Sequence, residues 1–243
     1  MKKALFVLKT GESKRLIAKA VARLPEVKKA LEEGYIVINP GSTNAYVAEE
    51  ILGREIEKDR FLAGYIEEGK LKVLPREKRI PPIILHKGRE VNESYDEVLN
   101  KLGKDDVMIK GANAIDFEGN VGIMLGNRVG GTIGKILGPV ISRGVNLVIP
   151  VGLEKLIPSV KLASSVLGME ELDYADGLKI GLMPLCYGKT ITEIEAFFIL
   201  ANVEAFLVSK GGLGDSQGAV TIAIWGEDND VDKAIEIVES LKE

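Results

Sequence analysis

The sequence has very few of the side chains that most metal sites and nucleophilic mechanisms need. Cys186 is the single cysteine and His86 the single histidine among 243 residues. A disulfide framework, a thiol-rich metal site and a zinc site built from two or three imidazoles are therefore excluded. Any mechanism that pairs a serine with a histidine depends on His86 alone. Its setting, PPIILHKGRE, is typical of a solvated residue at the end of a strand.

Long apolar runs and an excess of positive charge are also missing. No stretch approaches the roughly 18 apolar residues that a bilayer span needs. The apolar residues between Lys3 and Lys9 are too few for the core of a signal peptide. The net charge is −4, and basic residues alternate with acids, which disfavours nucleic acid as the main partner. We expect a cytoplasmic protein that binds neither membranes nor nucleic acids, and a sequence with one glutamine and many Glu and Lys favours a thermophilic source.

The order of the apolar segments predicts an α/β protein with a Rossmann-like, mostly parallel sheet. Short apolar runs at 35–38, 107–110 and 145–150 are typical of buried parallel strands. Segments with helical spacing separate them, which favours right-handed crossover connections. We expect these runs to be neighbouring parallel strands, with the loops after the first two at one edge. Residues 119–125 (GNVGIML) are predicted as a further strand, and 153–177 as a helical connection.

The pattern changes after Asp176. The segments that follow predict the order strand, helix, strand, strand, helix; they are LKIGLMPL, TEIEAFFILAN, VEAFLVS, AVTIAIW and DVDKAIEIVESLK. This order indicates a ferredoxin-like α+β unit in which runs 203–209 and 219–225 form a hairpin. We therefore predict two domains, a Rossmann-like ligand-binding domain at 1–175 and a small α+β domain at 176–243.

The segment NPGSTNAYVAEEIL holds the clearest candidate site. A buried strand ends, and a predicted helix begins directly after it. Ligands of open parallel sheets bind beyond the carboxyl ends of the strands, where helix N-termini favour phosphate or carboxylate. The predicted anion-binding residues are Gly41, Ser42, Thr43 and Asn44. The alternative is that Ser42 or Thr43 only caps the helix.

A second candidate set follows in the stretch from Ile109 to Gly134. Polar residues and glycines lie after one predicted strand and before the next predicted helix. Packing alone does not require this arrangement. The alternative is that the glycines only form turns. The predicted ligand-binding residues here are Gly111, Asn113, Asn127, Gly130, Gly131 and Thr132. Lys110 and Asp116 are the candidate acid and base. Glu193 and Glu195 lie near another predicted helix start, where acidic residues favour the helix dipole.

Two stretches of the chain resemble known families. ESKRLIAKAVARLP…LEEGYIVINPGSTNAYVAEEIL is similar to the opening of DeoR-type sugar-phosphate sensor domains and of ribose-5-phosphate isomerase. IKGANAIDFEGNVGIMLGNRVGGTIGKIL…GVNLVIPV resembles a stretch of initiation factor 2B subunits and methylthioribose-1-phosphate isomerase. These families form one structural superfamily with the coenzyme A transferases, and the resemblance spans roughly residues 12–155. It implies a phosphate loop at 41–44.

The resemblance departs from the isomerases at one decisive position. Where they carry a catalytic aspartate in Gly-Ala-Asp, this chain has Asn113, and an amide is no general base at neutral pH. Asp116 is the candidate to replace it, and the alternative is that Asp116 is a turn residue. The binding function is therefore transferable and the chemistry is not.

These observations leave three hypotheses open. The first is an enzyme, a sugar-phosphate isomerase that binds an anionic metabolite, with no metal or organic cofactor implied. The second is a non-catalytic metabolite sensor or regulator of the same superfamily, and the third is a structural subunit that assembles through its C-terminal unit. We also expect a homo-oligomer.

Overall fold

The computed structural model describes residues 1–242, in which the chain forms eight α-helices and four sheets. The helices are α1 (Thr10–Arg23), α2 (Pro25–Glu33), α3 (Ser42–Leu52), α4 (Tyr95–Lys101), α5 (Gly131–Arg143), α6 (Val160–Ser164), α7 (Glu193–Ala201) and α8 (Asp228–Glu239). The strands are β1 (Lys2–Leu8), β2 (Tyr35–Ile38), β3 (Gly64–Glu67), β4 (Lys70–Val73), β5 (Ile83–His86), β6 (Arg89–Glu90), β7 (Val107–Ile109), β8 (Ala114–Ile115), β9 (Val121–Leu125), β10 (Asn146–Pro150), β11 (Gly181–Leu185), β12 (Lys189–Ile191), β13 (Glu204–Gly211) and β14 (Ala219–Gly226).

The main sheet has six strands in the order β12-β10-β7-β2-β5-β6. Its first four strands are mutually parallel. Strand β5 pairs antiparallel with β2, and β6 pairs antiparallel with β5. Ile36 lies opposite Val107, and Val107 lies opposite Asn146. The predicted set of neighbouring parallel strands is therefore confirmed, and the fold is α/β with a mostly parallel sheet. Its description as Rossmann-like stays a prediction.

The predicted strand in GNVGIML is present as β9. It belongs to a separate antiparallel sheet of order β11-β9-β8, because a tight turn with Gly119 in the left-handed region (φ 81°) folds it back onto β8. The prediction of a helical connection at 153–177 is wrong, because this stretch is mostly irregular, with helix only at Leu153–Lys155 and in α6. Pro158 cannot continue the first turn, since proline offers no backbone N–H.

The C-terminal sheet has the order β1-β14-β13 and is antiparallel throughout. The predicted hairpin of β13 and β14 is confirmed. The prediction that LKIGLMPL supplies a strand to this sheet is wrong, because β11 pairs with β9 and the N-terminal strand β1 lies beside β14 instead. The sheets thus draw strands from both sides of residue 175, and a division into two domains there stays a prediction.

One apolar core joins the main sheet and the C-terminal sheet. Helix α1 buries Leu16, Ile17 and Val21, and it packs against α3 and α7. This core includes Ile36 of the main sheet and Ile222 of the C-terminal sheet. The far side of the main sheet is covered by a second core to which α4 and α5 contribute. The parallel strands are therefore buried on both faces, as their continuous apolar runs require.

The C-terminal sheet leaves its other face exposed. The large apolar side chains on the exposed part of this sheet are Leu5, Val7, Phe206, Val208 and Trp225. The expected homo-oligomer stays a prediction. None of the helices in residues 1–242 has the length and hydropathy of a membrane span.

Candidate functional site

The four parallel strands end at one edge of the main sheet, and polar residues follow each of them. Asn39 follows β2, Lys110 follows β7, Glu154 lies just beyond β10, and Glu193 lies just beyond β12. Carboxyl ends of parallel strands form the edge where ligands of open α/β sheets bind.

The N-terminus of α3 lies directly beyond β2 and is not capped by any side chain. Gly41 is the N-cap, and its N–H donates to the Phe61 carbonyl over 2.9 Å. The alternative in which Ser42 or Thr43 caps the helix is therefore not observed. The first turn holds no acidic residue, so the positive end of the helix dipole has no negative partner there.

Two buried oxygens in this first turn have no hydrogen-bond partner. Thr43 is 2% exposed and Asn44 is fully buried, yet Thr43 Oγ1 and Asn44 Oδ1 are unpaired. The Asn44 amide is nevertheless held in place, because Nδ2 donates to the Asn39 carbonyl over 2.7 Å. A buried polar atom without a partner costs free energy, commonly about 1–3 kcal/mol. Such atoms are therefore expected where a ligand completes the hydrogen bonding.

The backbone after β7 lies next to this turn. A methyl group placed on Gly111 would lie 3.4 Å from Asn44 Oδ1, so the two loops are in contact. The prediction that the loops after β2 and β7 share one edge is confirmed. Lys110 Nζ donates to the Gly111 carbonyl over 2.9 Å, and Lys155 Nζ donates to the Ala112 carbonyl over 3.1 Å. Residues 110–112 therefore bring two ammonium groups next to the α3 N-terminus.

The lysines at this edge lack close carboxylate partners. Lys14 of α1 and Lys110 have no carboxylate within 4.0 Å in residues 1–242, and Lys155 has only Glu154 at 3.9 Å. Burial lowers the pKa of Lys110 to about 8, with repulsion from Lys155 adding to the effect. Burial and the charge of Lys155 also lower the pKa of Lys14, which Glu154 partly offsets.

Two carboxyl groups complete the edge. Glu193 is fully buried and accepts hydrogen bonds from the Ser13 hydroxyl and, over 2.9 Å, from Leu153 N–H. Burial raises the pKa of Glu193 to about 7; the Ser13 hydrogen bond opposes this shift, and the negative charge of Glu154 adds to it. Glu154 Oε2 is buried and has no partner. The loop between β13 and β14 closes over this side, since a methyl on Gly218 would lie 4.0 Å from the Glu154 Cβ.

Asp116 is already fully engaged in a turn. Its carboxylate accepts hydrogen bonds from the backbone N–H groups of Glu118, Asn120 and Val160, over 2.9 to 3.1 Å, and from the Asn120 side chain. Burial raises the pKa of Asp116, but these hydrogen bonds outweigh it and leave the pKa below its usual value. None of these contacts joins Asp116 to Lys110. Its predicted role as a base stays untested, and its surroundings favour the turn.

The other predicted ligand-binding residues make local contacts away from α3. Asn113 Oδ1 accepts from Met124 N–H and Asn127 Oδ1 from Val129 N–H. Gly130 and Gly131 adopt left-handed conformations at the start of α5, and Thr132 is exposed. The structure thus brings Gly41, Ser42, Thr43, Asn44, Lys110 and Gly111 together. It shows no hydrogen bond from the remaining five to that group within residues 1–242.

Sequence reasoning missed four charged residues of this edge: Lys14, Glu154, Lys155 and Glu193. Glu193 was predicted only to favour a helix dipole, and it does begin α7. The available signal was positional, because Glu154 follows the third parallel strand and Glu193 the fourth. Lys14 carried no such signal, since only the packing of α1 against α3 and α7 brings it here.

A shallow depression of about 520 Å³ lies elsewhere, lined by Arg54, Pro81, Pro82, Glu93 and Tyr95 among others. It meets the candidate site through Tyr95, whose hydroxyl donates to Asn39 Oδ1 over 2.8 Å. Within residues 1–242, no three His, Cys, Asp or Glu side chains are grouped as a metal site requires.

Comparison with known proteins adds little to this geometry. No family model matches the chain, and no curated protein matches it. Among solved structures, the chain is similar to a D-ribose-5-phosphate isomerase in complex with phospho-erythronic acid, at 15% identity and a TM-score of 0.33, over 93% of this chain and 84% of that one. A TM-score this low supports no argument about activity or ligand.

Proposed function

We propose that the protein binds a small phosphorylated metabolite at the N-terminus of α3. The observation that carries this proposal is the buried, unpaired hydroxyl of Thr43 in the first turn of an uncapped helix. This turn lies at the carboxyl edge of four parallel strands, where such folds bind ligands.

The chemistry of the turn fits a phosphate. Free backbone N–H groups and the helix dipole attract an anion, and the Thr43 hydroxyl is an additional donor. Gly41 and Gly111 have no side chains, so a ligand has room to approach the backbone. Lys110 supplies a positive charge beside the turn. Acidic side chains are absent from this first turn.

Binding without turnover and isomerisation are both compatible with this site, and two observations favour the first. Asn113 occupies the position of the isomerases' catalytic aspartate, and the Asp116 carboxylate is saturated by hydrogen bonds. An isomerase would need another base, and Glu154 has the unpaired carboxylate oxygen that such a role requires. These observations favour a metabolite sensor or regulator, and an isomerase is the alternative. Incubation with phosphorylated aldoses, followed by NMR, separates the two, because a regulator binds without conversion.

Calorimetric titration with glycerol 3-phosphate and with glycerol tests the proposed phosphate site. Only the phosphorylated compound should bind. Thr43→Val removes one charge-assisted hydrogen bond and should weaken binding by about 10- to 100-fold. The same change should leave the melting temperature of the ligand-free protein unchanged or higher, because it removes an unpaired buried hydroxyl.

Thr132→Val is the matched control, since Thr132 begins a different helix and is exposed. It should bind glycerol 3-phosphate like the wild type. Equal binding of glycerol and glycerol 3-phosphate would overturn the proposal. Undiminished binding by a folded Thr43→Val protein would also contradict it.

A further inference from the structure

Three lysines from separate parts of the chain lie close enough at this edge for the charge of Lys155 to lower the pKa of both Lys14 and Lys110. Lys14 comes from α1, Lys110 from the end of β7 and Lys155 from the segment after β10. Lys110 and Lys155 donate to the adjacent carbonyls of Gly111 and Ala112. All three side chains are partly buried.

The acidic groups that face these lysines do not balance their charge. Glu154 lies 3.9 Å from Lys155 Nζ and is the nearest carboxylate to the cluster. Glu193 of α7 is buried, and burial raises its pKa to about 7, which disfavours its charged form. The three ammonium groups thus outnumber the single carboxylate beside them in a partly desolvated place, where an uncompensated charge is costly. A bound anion would relieve this cost.

We propose that Lys14, Lys110 and Lys155 form a second anion subsite, so that the ligand carries a carboxylate in addition to its phosphate. This inference rests on the proposed function, because the first subsite is the α3 N-terminus. Gly111 connects the two subsites, since it contacts Asn44 on one side and accepts from Lys110 on the other. Both proposed subsites therefore adjoin Gly111.

The unpaired oxygens define what lies between the two anionic groups. Asn44 Oδ1 and Glu154 Oε2 are buried acceptors without donors. A hydroxyl group is the simplest ligand donor for either, because it carries the hydrogen that each oxygen lacks. The chemical class that fits both subsites and these acceptors is a phosphorylated hydroxy acid.

The test compares 3-phosphoglycerate with glycerol 3-phosphate, which differ by a carboxylate in place of a hydroxymethyl group, and with glycerate, which lacks the phosphate. Calorimetry at low salt should show 3-phosphoglycerate binding about tenfold or more tightly than glycerol 3-phosphate. At pH 8 its binding should also take up protons, because the carboxylate raises the pKa of Lys110. Titrations in two buffers of different ionisation enthalpy measure that uptake.

Lys155→Met should remove the advantage of 3-phosphoglycerate while glycerol 3-phosphate still binds. Lys161→Met is the control, because Lys161 is exposed and the same charge is lost; it should retain the advantage. Equal affinity of the wild type for 3-phosphoglycerate and glycerol 3-phosphate would overturn the second subsite and leave the phosphate site standing. Binding of glycerate as tight as that of 3-phosphoglycerate would instead overturn the phosphate site. Binding of none of the three would overturn both.

Discussion

Two regions of this chain look alike in sequence and differ in structure. Residues 41–44 and 127–132 both combine glycine, asparagine and threonine just before or within a first helical turn. In the first region Thr43 and Asn44 are buried with unpaired oxygens. In the second, Asn127 bonds its own turn and Thr132 is exposed. Composition thus indicates where a helix begins, whereas buried polar atoms without hydrogen-bond partners indicate where we expect a ligand.

The same contrast separates the two predicted catalytic residues. Lys110 lies in the edge region without an acidic partner, whereas Asp116 is held by the turn that leads into β9. We therefore propose that the edge at 41–44 and 110–112 binds the ligand and that the segment 113–132 has a structural role. Each half of this assignment can be broken by mutation.

The largest effect is expected from Asp116→Ala. Removal of the carboxylate leaves the N–H groups of Glu118, Asn120 and Val160 without their partner, and each loss costs about 1–3 kcal/mol when buried. We expect the free energy of unfolding to fall by about 3–5 kcal/mol in urea titrations. Asp173→Ala, at an exposed site, should change it little. An Asp116→Ala protein of normal stability without ligand binding would place Asp116 in the site instead.

A smaller effect, on binding alone, should follow Ser42→Glu. Ser42 is half-buried at the start of α3, so a carboxylate there occupies the positive end of the helix and excludes phosphate. Affinity for glycerol 3-phosphate should fall by about a hundredfold, equivalent to about 3 kcal/mol. Thr132→Glu, at the start of α5, should have no effect in the same calorimetric titration. If both variants lose binding equally, the contrast between the two helix starts is wrong.

The smallest effect concerns stability and pH. The pKa of Lys110 is lowered to about 8 in the folded protein, so the charged form of Lys110 destabilises the fold below pH 8. This destabilisation disappears as the pH rises from about 8 toward 10.5, the approximate pKa of a lysine in the unfolded chain. Lys110→Met should therefore raise the free energy of unfolding by about 1–2 kcal/mol at pH 7 and by little at pH 10. Urea titrations at both pH values check this, with Lys161→Met as control. A gain that is independent of pH would show that packing, not charge, is responsible.

Local sequence patterns predicted most of the strands and the helix start at the carboxyl edge of the main sheet, but few of the charged residues that lie there. The apolar runs of β2, β7 and β10 predicted parallel neighbours because strands buried on both faces must be continuously apolar. The start of α3 followed from Gly41. The sheet to which β9 belongs could not be predicted from its own apolar run, because its pairing depends on the turn at Gly119. Lys14 was missed because helix α1 approaches the site only through tertiary packing.

The pairing of β1 with β14 has a consequence for how the molecule reaches this state. Lys2 lies opposite Gly226, so β1 leaves the ribosome long before the strand with which it pairs. Helix α1 directly follows β1, and its Ser13 contacts Glu193 of α7. Contacts of such long sequence separation form late in folding, because closing the long loop costs entropy before the contacts contribute stabilising free energy. The parallel strands therefore have neighbours early in synthesis, whereas the α1 side of the site is completed as one of the last events of folding.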